Sequence, residues 1–220
     1  FISLIIAIPL GIYAGYKPES KTSKIIMGSS ILGFSMPTFW VGIIFIMIFA
    51  VHLGWLPSTG RGDIGTFLGI NSSLFTLNGL SHVFLPALNL ALFKISSVIR
   101  LTRAGTREII LQDYITFARS KGLSEKRIVL VHILKNILIP IVTVVGLEFG
   151  SLIAFSTVTE TVFAWPGMGK LIIDSIYNLD RPVIVAYLMI IVTFFVFLNL
   201  IVDILYTFLD PRVRIKGDSQ

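Results

Sequence analysis

A charged island lies between two strongly apolar runs. It extends from Arg107 to Pro140 and reads REIILQDYITFARSKGLSEKRIVLVHILKNILIP. The chain is 55% hydrophobic with mean hydropathy +0.88 and only 14% charged, whereas soluble domains carry about 25% charged residues. The apolar runs therefore belong in a bilayer, and the island lies outside it. Within the island Tyr114, Phe117 and Ala118 fall at i, i+3 and i+4 with polar residues opposite, which predicts a short amphipathic helix from Gln112 to Lys121. Gly122 then ends that helix in the left-handed C′ position, Leu123 reaches back to Ala118 from C″, and Ser124 caps the next helix. The expected product is a helix–turn–helix knuckle held close to the membrane.

The net charge is +6, and 14 of the 18 Lys and Arg lie in three segments beside apolar runs. Orientation in a bilayer explains that clustering, and no nucleic-acid motif accompanies it, so nucleic acid is not an expected partner. The chain has no cysteine, which removes disulfides and thiol chemistry. His52, His82 and His132 are far apart in sequence and fall on both sides of the bilayer, and no phosphate-binding glycine loop appears. Neither a metal centre nor a nucleotide site is expected, and no catalytic residue is assigned.

The reading is an all-α, polytopic membrane protein with a transmembrane domain over 1–210 and five spans, at about 1–16, 25–54, 83–103, 137–158 and 183–208. The cytoplasmic coupling region is 107–136 and the cytoplasmic tail is 211–220. Phe1 to Tyr16 lacks a signal-peptide pattern and is shorter than the ~20 residues a spanning helix needs, so it reads as part of a longer span. Pro37 is a candidate kink in the second span. The segments 57–81 and 159–181 read as external loops. Lys and Arg number three at 17–24, eight from Arg100 to Lys135 and three from Arg212 to Lys216, against one and two in the alternate loops. The island and the C-terminus are therefore expected in the cytoplasm.

Polar residues inside spans are the other candidates, because ionisable groups there are costly and face the bundle interior or water. Asn89, Ser96, Arg100, Arg103 and Arg107 form one helical stripe. Asn89, Ser96 and Arg100, with Glu148, are candidates to line a solute path; equally, Asn89 and Ser96 can hydrogen-bond between helices while the arginines sit at the interface. Lys94 lies off the stripe and either snorkels or finds a partner in the bundle. Glu148 and Asp203 would serve as ion sites in a gradient-driven, proton-coupled secondary transporter, which is the rival class; the favoured reading of Asp203 is a structural partner such as Asn199 or a neighbouring helix, and Glu148 suits a packing network as well as a pathway. Trp40, Trp55 and Trp165 read as interfacial anchors, and Trp165 also as a contact for an external protein. The knuckle itself suits either docking in a groove on another subunit or lying on anionic lipid.

The segment Thr116-Phe117-Ala118-Arg119-Ser120-Lys121-Gly122, followed by Pro140, resembles the coupling motif of ATP-binding-cassette (ABC) importer permeases. There an EAA triplet precedes a glycine and a later hydrophobic–proline pair. Thr116 and Phe117 stand where Glu and Ala stand in the general pattern, while Ala118, Gly122 and Pro140 match. Gly33 to Trp40, Leu53 to Pro57, Thr159 to Gly169 and Asp210 to Arg214 resemble the dipeptide/oligopeptide/nickel branch. The resemblance implies a permease subunit in a bacterial inner membrane with six spans at full length. It would be paired with a second homologous permease, two cytoplasmic ATPase subunits that use ATP, and an external solute-binding protein. No cofactor would bind this chain. By this resemblance Tyr114, Thr116, Phe117, Ala118, Arg119, Lys121, Gly122 and Pro140 couple to the ATPases, and the solute is a peptide, glutathione or a nickel chelate.

Overall fold

The apolar runs can satisfy their backbone groups in lipid only by coiling into helices, and the computed structural model, which describes residues 1–209, is built mainly of them. They are α1 (Ile2–Tyr16), α2 (Lys21–Ser35), α3 (Thr38–Phe45), α4 (Leu77–Ile110), α5 (Asp113–Ser120), α6 (Glu125–Arg127), α7 (Leu134–Leu147), α8 (Phe149–Val162), α9 (Met168–Tyr177) and α10 (Arg181–Leu209). Ser20 caps α2 by accepting from the Ser23 N–H at 3.0 Å, and Thr76 caps α4 by accepting from the Gly79 N–H at 3.0 Å. The expected tail, 211–220, lies outside the described residues.

Among the described residues three helical segments are long and apolar enough to cross a membrane: Leu77–Ile110, Glu125–Gly146 and Arg181–Leu205. The expected span 25–54 is instead a bent pair, Lys21–Ser35 with Thr38–His52, turning by 107°. Met36 and Pro37 are both extended there, because the residue before a proline is pushed out of the helical region. The expected span 137–158 also differs. Its helix starts at Glu125, runs through a wide turn at Ile128–Ile133, and is interrupted at Glu148 between α7 and α8. Lys126, Arg127, His132 and Lys135 interrupt the hydropathy, not the helix.

The two segments expected as external loops contain regular structure. Within 57–81 a two-residue hairpin joins β1 (Gly65–Phe67) to β2 (Ile70–Ser72), with Phe67 opposite Ile70. Leu68 and Gly69 both have positive φ, 50° and 79°, as a type I′ turn requires. That hairpin is a small exception to the all-α expectation. Within 159–181, α8 continues to Val162 and α9 occupies Met168–Tyr177, helped by the Lys170–Asp174 pair at 2.9 Å.

The most extensive packing between helices among the described residues is between α1 and α4. A Cβ on Gly11 would stand 2.5 Å from Thr102 Cβ, and one on Gly15 would stand 2.6 Å from Thr106 Cβ. Ala7, Gly11 and Gly15, four apart, form a small-residue seam that lets the two backbones approach. The core beside this seam contains Ala7, Val98, Ile99, Ile115, Ala118, Ile128, Ile133, Ile137 and Ile141.

Candidate functional site

The knuckle forms as its residues dictate. Gly122 has φ +77°, its N–H donates to the Arg119 carbonyl at 2.9 Å, and the Leu123 N–H reaches back to the Ala118 carbonyl at 3.2 Å. Ser124 stands at the N-cap position of α6 without a side-chain capping bond; its carbonyl instead accepts from the Arg127 and Ile128 N–H groups at 2.9 and 3.0 Å. Apolar residues occupy both faces of α5. Ile115 and Ala118 are buried in the core, whereas Tyr114 and Phe117 remain 43% and 59% exposed. Ala118 therefore anchors α5 from within instead of sharing the outer face with Tyr114 and Phe117.

Polar contacts hold the outer surface in place. Arg119 Nε donates to Glu125 Oε1 at 3.0 Å, and the Tyr16 hydroxyl, at the end of α1, donates to Glu125 Oε2. The turn is thus tied to the start of α6 and to α1. Asn136 Nδ2 donates to the Tyr114 hydroxyl at 3.3 Å, and Lys121 Nζ lies 4.5 Å from the centre of the Phe117 ring. Partial burial raises the Tyr114 phenol above its ordinary pKa, and the hydrogen bond to Glu125 does the same for Arg119. Thr116 is exposed, and so is Pro140, inside α7.

The second polar centre lies inside the bundle. Lys94 Nζ is 3.1 Å from Glu148 Oε2 and donates to Ser151 Oγ at 2.8 Å, while Ser97 Oγ donates to Glu148 Oε1 at 3.2 Å. Lys94 is buried and Glu148 is half-buried. Residues 94 and 148 carry no local pattern that links them, so their pairing is not legible in the sequence. The apolar flanks of each were the only signal.

The polar stripe on α4 goes elsewhere. Asn89 Nδ2 donates to Thr159 Oγ1 at 3.2 Å and Ser30 Oγ to the Ser96 carbonyl at 3.3 Å, both contacts between helices. Arg100 stacks 4.7 Å from the centre of the Phe34 ring. Asp203 is exposed on α10. Trp165 lines a cavity of about 370 Å³ beside the N-terminal half of α4, together with Arg61 and Glu160.

The family described as binding-protein-dependent transport system inner membrane component matches residues 7–215. The di/tripeptide transport system permease protein DppB of Pseudomonas aeruginosa (strain UCBPP-PA14) is 41% identical, over 93% of this chain and 64% of its own length. The dipeptide transport system permease protein DppB of Escherichia coli (strain K12) is 35% identical, over 96% of this chain and 67% of its own. The oligopeptide transport system permease protein AppB of Bacillus subtilis (strain 168) is 40% identical, over 97% and 66%. The chain thus spans about two thirds of the length of these relatives. A solved structure of the MetNI methionine ABC transporter in an inward-facing conformation superposes with TM-score 0.70 at 17% identity, covering 96% of this chain and 88% of that one. At that identity the likeness is one of fold.

Proposed function

The chain belongs to the family of binding-protein-dependent transport system inner membrane components, and on that premise we propose that it is a membrane-spanning subunit of an ATP-driven importer of short peptides. It shares the translocation path with a second, homologous permease and receives solute from an external binding protein. Two cytoplasmic ATPases supply the energy, and the chain has no nucleotide site of its own. The names of its relatives support the peptide, and the density of Lys and Arg beside α5 supports a cytoplasmic knuckle in a bacterial inner membrane.

The observation that carries this reading is the two-sided construction of α5. Its outer aromatics, Tyr114 and Phe117, are exposed at the tip of the knuckle, while its inner residues, Ile115 and Ala118, belong to the same core cluster as Val98 and Ile99 of α4 and Ile137 and Ile141 of α7. An ATPase that closes on ATP and opens after hydrolysis displaces the aromatics, and the close-packed core passes that displacement to α4 and α7. Arg119 and Lys121 set charge complementarity around the contact. An aromatic anchor at an interface centre is worth about 2 kcal/mol, roughly 30-fold in affinity. Phe117→Ala is therefore expected to strip the ATPases from the full-length permease on purification from its native membrane while the permease still inserts. ATPases retained at wild-type stoichiometry by Phe117→Ala, or absent from the wild type, would sink the assignment.

A further inference from the structure

The cavities in the outer half of the chain form a line. The first, of about 370 Å³, is bounded by Arg61 and Glu160 and shares Ala87, Leu90 and Ser156 with a second, of about 480 Å³, that reaches Lys94 and Leu152. Lys94 and Leu152 in turn bound a third, of about 150 Å³, against Glu148. On α4 the lining residues 87, 90, 94 and 98 recur at spacings of three and four; opposite them, residues 148, 152, 156 and 160 recur every four. Each set is one helical face, so the line is a groove between α4 and α8, walled on a third side by Phe1, Ile2, Ser3 and Leu4 at the start of α1. Asn89, bonded to Thr159, and Ser96, whose hydroxyl donates to the Leu92 carbonyl of its own helix, lie off the groove.

The ionisable side chains of the groove stand at two levels, and each level holds one cation and one carboxylate. Arg61 and Glu160 stand at the outer end, where Arg61 Nε is sequestered without a hydrogen-bond partner among the described residues. Lys94 and Glu148 stand in the interior. Lys94 is the eighteenth of the 34 residues of α4, roughly 25 Å from either end at 1.5 Å per residue, close to the bilayer centre. A buried ion pair is weak support for a fold, since apolar residues of similar volume hold helices together at least as well. Ionisable groups at that depth mark pathways. A zwitterionic peptide needs one cation for its carboxylate and one anion for its ammonium, and the interior level supplies both.

We propose that the α4–α8 groove is this chain's track for zwitterionic peptides, with Lys94 and Glu148 as its interior binding station. The pair gives up its mutual contact, Lys94 takes the peptide carboxylate, and Glu148 takes the peptide ammonium. No charge of protein or ligand then faces hydrocarbon unpaired, and the internal pair re-forms behind the departing solute. This rests on the peptide-importer reading above.

The test uses the complete transporter, with full-length permeases, ATPases and binding protein, reconstituted in proteoliposomes with dialanine as probe. The double variant Lys94→Met/Glu148→Leu removes both charges together and leaves no unpaired charge to unfold the bundle. The complex is expected to assemble, and dialanine transported per ATP hydrolysed is expected to fall at least tenfold. A smaller fall overturns the proposal, as does failure to assemble, because the pair is then a structural tie. Wild-type complex without ATP-driven dialanine uptake overturns the importer reading and this inference with it, whereas wild-type uptake with an unimpaired double variant overturns the inference alone.

Discussion

Gly122 has φ +77°, and nothing lies within 4 Å of the position its Cβ would take. The demand for glycine there is conformational, not steric. An L-residue in the left-handed region costs roughly 1–2 kcal/mol, so Gly122→Ala is expected to lower the melting temperature of the purified complex by a few degrees with the ATPases still bound. Gly122→Pro cannot adopt the turn at all, because proline fixes φ near −65°, and it is expected to release the ATPases on co-purification. Full retention by the proline variant would show that the turn does not seat the knuckle. This glycine was legible in the sequence because an amphipathic segment stops at it. The inward position of Ala118 was not, since Ile115 and Ala118 are three apart on one face of α5 while Tyr114 and Phe117 are three apart on the other. With apolar pairs on both faces, spacing alone cannot say which one the core takes. The Lys94–Glu148 contact was equally hidden, because only tertiary packing brings α4 to the α7–α8 junction.

At the scale of elements, the seam between α1 and α4 sets a contrast between two helical glycines. A Cβ at Gly11 would meet Thr102 Cβ at 2.5 Å, whereas a Cβ at Gly28 in α2 would meet nothing within 4 Å. Overpacking of this kind costs typically 1–3 kcal/mol, while Gly→Ala in an uncrowded helix gains about 1 kcal/mol of propensity. Thermal unfolding of the complex in detergent is therefore expected to shift down for Gly11→Ala and to hold or rise for Gly28→Ala; equal shifts would mean that α1 and α4 do not approach this closely in the membrane. The seam was not legible in the sequence, because Thr102, the partner of Gly11, lies 91 positions away from it. Helix ends were the least legible feature. The start at Glu125 follows from Ser124 at the N-cap position, but hydropathy set the span boundary at 137 because of Lys126, Arg127 and Lys135, although a helix tolerates cations on an exposed face. Conversely, the apolar run across Pro37 concealed a turn of 107°.

At the scale of the whole molecule, the absence of cysteine in all 220 residues makes orientation directly measurable. Leu68, 87% exposed at the tip of the hairpin, and Ser120, exposed at the end of α5, are expected on opposite sides of the bilayer from the distribution of Lys and Arg. In intact cells a membrane-impermeant maleimide is expected to label Leu68→Cys, and to label Ser120→Cys only after permeabilisation; the reverse pattern would invert the topology and place the knuckle out of reach of ATPases. The close contact of Gly11 with Thr102 also bears on how the molecule is made. At 5–20 residues per second the ribosome delivers Thr102 about 5–20 s after Gly11. During that interval the glycine face of α1 has no α4 to cover it, so the nascent chain depends on the insertion machinery to shelter α1, and slower translation between the two helices lengthens its exposure to membrane proteases.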